Sequence, residues 1–112
     1  MTDCLFCGMV AGDIPCDVVL DNDRIFAFRD INPQAPVHAL VIPRKHYLNS
    51  AEVANADPEL AGEMLRAVSE IARAEGLGSY RVVANTGADA GQTVFHAHLH
   101  LLGGRSFTWP PG

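Results

Sequence analysis

The sequence predicts an α+β fold: an antiparallel sheet of about five strands in a meander, with one long helix and a short N-terminal helix. Three observations carry this. Short β-rich runs follow one another with turn residues between them, a single segment keeps helical periodicity for several turns, and there are too few helical crossovers for parallel pairing. With 112 residues, of which 48% are hydrophobic and 19% charged, the chain has the balance expected of one globular domain over 1–112.

The first element is a short apolar turn of helix from Cys4 to Met9, ending near Gly12 ahead of Ile14-Pro15. Val18-Val19-Leu20 and Arg24-Ile25-Phe26-Ala27-Phe28-Arg29 flank Asp21-Asn22-Asp23, a hairpin signature of two β-rich runs around polar turn residues. Period-two alternation puts Ile25, Ala27 and Arg29 on one face of the second strand and Phe26, Phe28 and Asp30 on the other. Asn32-Pro33-Gln34-Ala35-Pro36 is a loop, because proline has no N–H for a ladder and restrains the residue before it.

His38-Ala39-Leu40-Val41-Ile42 is an apolar strand stopped by Pro43, and the stretch from Arg44 to Ala56 reads as a connection with one helical turn. Asp57-Pro58-Glu59 supplies the cap, first-turn proline and first-turn acid of a helix whose apolar stripe is Leu60, Met64, Leu65, Val68, Ile71 and Ala72. Gly76 and Gly78 provide its stop. Tyr80 to Ala84 is a fourth strand, Asn85 to Thr93 a loop of small and polar residues long enough to wrap a ligand, and His96 to Leu102 the last strand.

Composition excludes several function classes. A net charge of -5 with 8 Lys+Arg argues against a nucleic-acid binder, which needs clustered cations to neutralise phosphates, but leaves room for a single phosphate held by N–H groups and histidines. No apolar run approaches the ~20 residues of a membrane span, and Met1-Thr2-Asp3-Cys4 lacks the basic flank of a signal peptide. Three cysteines, two of them in Cys4-x-x-Cys7, fit a reducing compartment better than a disulfide scaffold, so a cytoplasmic location is expected.

The chemistry is expected in His96-Ala97-His98-Leu99-His100, which holds 3 of the 5 histidines. On a strand, i, i+2 and i+4 share a face, so three imidazoles stand in a row, each able to act near neutral pH as acid, base, nucleophile or metal ligand. Just upstream, Gly91-Gln92-Thr93 offers close backbone approach and a hydroxyl to an anion. Asp30 can form a turn or accept the two hydroxyls of a ribose. His38 is a core histidine or, should its strand neighbour the strip, the group that orients one of the imidazoles.

Cys4 and Cys7, with His46 from a polar turn and His96 from the start of the strip, have the donor set of a four-ligand structural zinc; the alternative is that the cysteines are small buried hydrophobes. Trp109, between Phe107 and two prolines, is expected to dock on this domain or on a partner subunit.

The strip His96 to Leu102 resembles the signature of the histidine triad (HIT) superfamily. Asp30-Ile31-Asn32-Pro33-Gln34-Ala35-Pro36, Leu40 to His46, Gly91-Gln92-Thr93, Gly103-Gly104-Arg105 and Trp109-Pro110-Pro111-Gly112 extend the likeness to its nucleotide-binding (HINT-like) branch over nearly the whole chain. The resemblance implies a HIT-like fold and a homodimer, with Trp109 near the interface, that hydrolyses purine nucleoside 5'-phosphoramidates such as adenosine 5'-monophosphoramidate to the nucleoside monophosphate. It implies that His98 attacks phosphorus to form a nucleotidyl-histidine, that His100 contacts the phosphate and helps the amine leave, and that His38 supports the triad. Asp30 and Ile31 would hold the ribose and base, Asn85, Gly91, Gln92 and Thr93 the phosphate, and Leu5, Phe6 and Met9 the purine. The chemistry so implied needs no cofactor, and Cys4, Cys7, His46 and His96 match the zinc ligands of some members of the wider superfamily. Two other readings are a zinc-dependent hydrolase, with a catalytic metal held by histidines of the strip, and a nucleotide-binding module without catalysis.

Overall fold

The strands β1 (Val18–Asp21), β2 (Ile25–Arg29), β3 (Val37–Pro43), β4 (Tyr80–Val83) and β5 (Leu99–Gly103) form one antiparallel sheet in the order β1-β2-β3-β5-β4. The computed structural model describes residues 4–112, and the reading of Met1-Thr2-Asp3 as free of a leader lies outside them. Among the described residues three α-helices accompany the sheet, α1 (Leu5–Ala11), α2 (Ser50–Ala56) and α3 (Pro58–Ala74), with a short 3-10 turn at Ala88–Ala90. Among the described residues no helix is long and apolar enough to cross a membrane.

The fold class is as expected, and the meander runs unbroken from β1 to β3. After α3 the chain first lays down the outer strand β4 and then returns between β4 and β3 as β5. Burial explains the placement. Leu99, Leu101 and Gly103 of β5 are buried, whereas Tyr80 and Val82 of β4 are exposed, so the strand with more apolar surface takes the inner position.

The two faces separate as β2 alternation predicts. Ile25 and Ala27 join Ala39, Val41, Leu99 and Leu101 beneath α3, and Phe26 and Phe28 join Leu40 and Ile42 on the opposite face, where Phe6 of α1 covers them. In α3, Asp57 caps the first turn by accepting from the Leu60 N–H, and Leu60, Met64, Ala67, Val68, Ile71 and Ala72 are buried. Leu65 departs from the expected stripe and is 55% exposed, because one residue beyond Met64 turns the side chain about 100° away from the sheet.

α3 stops at Gly76 alone. Its φ of 72° lets the Gly76 and Leu77 N–H groups turn back to the carbonyls of Arg73 and Ala72, at 3.1 and 2.9 Å. The connection after β3 holds more helix than one turn: α2 is started by Asn49, whose Oδ1 accepts from the Glu52 N–H at 2.9 Å, while the Glu52 carboxylate accepts from the Leu48 N–H at 2.7 Å.

The histidine strip is only partly strand. β5 begins at Leu99, so His100 lies in the ladder while His96 and His98 precede it. Val41 pairs with Leu99, and beyond that pair the ladder stops: the Ala97 N–H donates to the Tyr47 carbonyl at 2.7 Å, and the Pro43 carbonyl accepts from His96 Nε2 at 2.8 Å.

Candidate active site and candidate metal centre

On the face away from α3, a cavity of about 260 Å³ lies between α1, the ends of β2 and β3, and the segment from Gly91 to His100. Its walls are apolar: Leu5, Phe6 and Met9 from α1, Phe28 and Leu40 from the sheet, and Ile31 and Val94 from loops. Its polar lining includes Asp30, Asn85, Thr93, His98 and His100. A mainly apolar cleft with a few convergent polar groups is the usual form of a small-ligand site.

Hydrogen bonds fix the tautomers of the imidazoles. The His98 Nδ1 lies 2.7 Å from the His96 carbonyl, which only accepts, so Nδ1 carries the proton and Nε2 carries the lone pair. A second chain begins at the Gln34 N–H, which donates to His38 Nδ1 at 3.0 Å. Neutral His38 therefore has its proton on Nε2 and donates it to His100 Nδ1 at 2.9 Å, which leaves His100 protonated on its own Nε2. The cross-strand register makes this contact: Leu40 pairs with His100 and His38 with Leu102, so His38 is the diagonal neighbour of His100. The rings of His98 and His100 stand 5.0 Å apart, one offering a lone pair and the other a proton.

Burial favours the neutral form of His100 and of His38 behind it. It lowers the pKa of His100 to about 4, reinforced by His98 and His38 and opposed by Asp30. His38 is also pushed below its ordinary value by burial, against the pull of Asp30, whose Oδ2 lies 3.5 Å from His38 Nε2. Asp30 shapes the turn, its Oδ1 accepting from the Asn32 N–H at 2.8 Å, and it also lines the cavity.

Asp30, His38 and His100 are close enough to suggest a second metal site. Their hydrogen bonds do not fit one: binding through His38 Nε2 would move its proton to Nδ1, against the Gln34 N–H.

Cys4, Cys7, His46 and His96 do fit a metal. Their ligand atoms lie at 3.3 Å (Cys4 Sγ to His96 Nδ1), 3.4 Å (Cys7 Sγ to His46 Nδ1), 3.5 Å (Cys7 Sγ to His96 Nδ1) and 3.2 Å (His46 Nδ1 to His96 Nδ1). Ligands on tetrahedral zinc, with Zn–S near 2.3 Å and Zn–N near 2.05 Å, stand roughly 3.3 to 3.8 Å apart. His96 is set up for this role, because its Nε2 donates to the Pro43 carbonyl at 2.8 Å and leaves Nδ1 unprotonated toward the thiols. Its pKa is lowered, first by burial, so it stays neutral as a ligand must.

The HIT domain family model matches residues 11–107. This chain belongs to the HIT domain family. An uncharacterized HIT-like protein of Synechococcus elongatus is 50% identical over 111 residues, covering 98% of this chain and 97% of that protein. The crystal structure of a HIT family hydrolase from Legionella pneumophila Philadelphia 1 superposes with a TM-score of 0.94 at 50% identity, over 98% of this chain and 100% of that one. A histidine triad protein from Clostridium difficile gives a TM-score of 0.91 at 36% identity, covering 96% of both chains.

Within this HIT domain, most expected site residues meet. Leu5, Phe6, Met9, Asp30, Ile31, Asn85, Gly91, Thr93, His98 and His100 all line the cavity. His38 stands behind His100, and His96 faces the thiols. Gln92 is the exception: it is 3% exposed, and its side-chain amide accepts from the Gly87 N–H at 2.9 Å and donates to the carbonyls of Leu48 and Val94 at 2.8 and 3.0 Å. Its amide is spent on holding the loop. The Gly91 and Gln92 N–H groups likewise turn inward, to the carbonyls of Ala88 and Gly87, so Thr93 is the member of that trio with a hydroxyl to offer the cavity.

Sequence reasoning did not assign Cys16, Phe28, Arg29, Leu40 and Val94 to the cavity. Phe28 and Leu40 were findable, since they alternate with Asp30 and His38 along their strands. Arg29 spends its charge on Glu75, at 3.1 and 3.2 Å, and on Asp17 at 3.5 Å. Trp109 is 83% exposed and does not pack into this domain, whereas Phe107 beside it is held between the guanidinium groups of Arg81 and Arg105.

Proposed function

We propose that this HIT protein is a hydrolase that cleaves the P–N bond of purine nucleoside 5'-phosphoramidates through a nucleotidyl-His98 intermediate. The observation that carries this reading is the pairing of an unprotonated Nε2 on neutral His98 with a protonated Nε2 on His100 in the lining of a mainly apolar cavity. The description of the Legionella relative as a hydrolase supports the reaction class.

The purine enters between Leu5, Phe6, Met9 and Ile31, and the ribose hydroxyls face Asp30. His98 Nε2 attacks phosphorus, the P–N bond breaks, and its electron pair leaves on nitrogen, which takes up one proton to depart as an amine. His100 transmits that proton from solvent: it starts neutral, and the negative charge of the bound phosphate offsets the burial that keeps it so. The His96 carbonyl, held to His98 Nδ1–H, stabilises the imidazolium character of the intermediate. Water then attacks phosphorus, the P–Nε2 pair returns to His98, and the nucleoside monophosphate leaves. The proton lost by water balances the one gained by the amine.

Zinc held by Cys4, Cys7, His46 and His96 would be structural, with four protein ligands and no open position. The working unit of this reading is a homodimer with Trp109 near the subunit boundary; the exposure of Trp109 and of Tyr80 and Val82 on the outermost strand supports it.

The deciding experiment is turnover of a fluorogenic adenosine phosphoramidate and its guanosine counterpart by the wild type and by His98→Asn. Turnover of at least one by the wild type and of neither by the variant is the expected result, and no turnover of either by the wild type overturns the assignment.

A further inference from the structure

The metal cluster and the cavity share a wall. Cys4 is the N-cap of α1, where its Sγ accepts from the Cys7 N–H at 3.3 Å, and Cys7 lies within the helix. Between and beyond these two thiols the same seven-residue helix carries Leu5, Phe6 and Met9 into the cavity. The helix is too short to persist by its own hydrogen bonds, since isolated helices below ~12 residues are marginal in water. It is held by the thiols against His46 and His96, by Phe6, which is 4% exposed and meets Phe28 at 5.2 Å, His98 at 5.2 Å and His96 at 5.9 Å edge-on, and by Met9 and Val10 against the same apolar cluster.

His96 joins the two sites a second time. Its ring faces the thiols through Nδ1 while its carbonyl accepts from His98 Nδ1–H. A metal on that ring therefore holds the residue whose backbone fixes the tautomer of His98.

We propose that the Cys4, Cys7, His46 and His96 cluster is a metal-operated clamp on the nucleotide pocket: zinc pins α1 against the sheet and so sets the affinity for the nucleotide. The proposal rests on the nucleotide reading given above. Cys4 and Cys7 are then positioning residues for a site they do not touch. Because zinc and nucleotide favour the same docked state of α1, the coupling is reciprocal, and each tightens the other by one common factor.

The test compares zinc-loaded and chelator-stripped protein, with AMP and zinc as the probes, at a temperature where circular dichroism shows both forms folded. Stripping zinc should weaken AMP binding by at least about fivefold, and AMP should tighten zinc binding by the same factor. Amide exchange should accelerate in α1 and stay unchanged in β3. His46→Gln, altered at an exposed ligand outside α1, should bind AMP weakly whether or not zinc is added; Cys7→Ser should do the same. Equal AMP affinity in loaded and stripped protein, with exchange in α1 unaltered, overturns the clamp and leaves the nucleotide reading standing. Failure of AMP to bind either form overturns the nucleotide reading and the clamp with it. Failure of zinc to bind overturns the clamp alone.

Discussion

His38 Nε2 lies 2.9 Å from His100 Nδ1, and the Gln34 N–H on the far side of His38 decides which of the two carries the proton between them. A backbone amide can only donate, so a loop residue sets the protonation pattern of an imidazole two rings away. The cavity thereby has a donor in His100 without a cation.

Replacing His38 by Phe keeps the ring and removes both nitrogens. His100 then loses the donor that holds its proton on Nε2 and populates the other tautomer. Turnover of an adenosine phosphoramidate should fall roughly 10²-fold, at the low end of general acid–base contributions, with AMP affinity changed little. An unchanged kcat in steady-state kinetics would mean that the tautomer of His100 is immaterial.

His98→Asn removes the proposed nucleophile and leaves the rest of the cavity lining in place. Turnover should drop by about 10³-fold or more, because a nucleophile and its assisting groups act as a unit. Quench of the wild type with labelled substrate should give an acid-labile adduct on His98 by mass spectrometry, and the variant should give none. An adduct on His100 instead would reassign the nucleophile.

How much of this was legible follows the range of each interaction. The faces of β2 and the cap and proline that start α3 are written in local spacing, and the structure shows each as that spacing implies, whereas only the Cys4-x-x-Cys7 half of the cysteine and histidine cluster is local. The return of β5 inside β4 was not legible, since it depends on which strand has more surface to bury once all are present. The end of the ladder before His98 goes with the turn of the Ala97 N–H to the carbonyl of Tyr47, far away in sequence. Gln92 sits in a loop whose composition suggests ligand binding, and only the positions of Leu48 and Val94 reveal that its amide faces inward.

Stability should fall in mild acid because of His100. Its pKa is about 4 in the folded protein against an ordinary 6.5, so between these values the unfolded chain binds a proton that the native state does not. Stability is therefore full above about pH 6.5 and is lost as pH falls toward about 4, and burial of His38 and His96 acts in the same direction. For a half-buried ring the His100 share from about pH 6.5 to 5 is on the order of 1 to 2 kcal/mol. Urea unfolding across this range should show a shallower pH slope for His100→Asn than for the wild type; equal slopes would assign the acid sensitivity to other groups.

Gln92→Ala separates holding the loop from touching the ligand. The side chain satisfies the Gly87 N–H and the carbonyls of Leu48 and Val94, so its removal strands buried polar groups at a cost of about 1 to 3 kcal/mol. The loop also carries Gly91 and Thr93 to the cavity, and loosening it should raise KM for a phosphoramidate several-fold while kcat, assigned above to His98 and His100 as a proposal, should change less. Gln92→Glu is the sharper variant. Its carboxylate can still accept from Gly87 but has no proton for Leu48 and Val94, and the charge is buried, so it should melt below the alanine variant. A glutamate variant as stable as the wild type, by thermal denaturation, would mean that these contacts do not hold the loop.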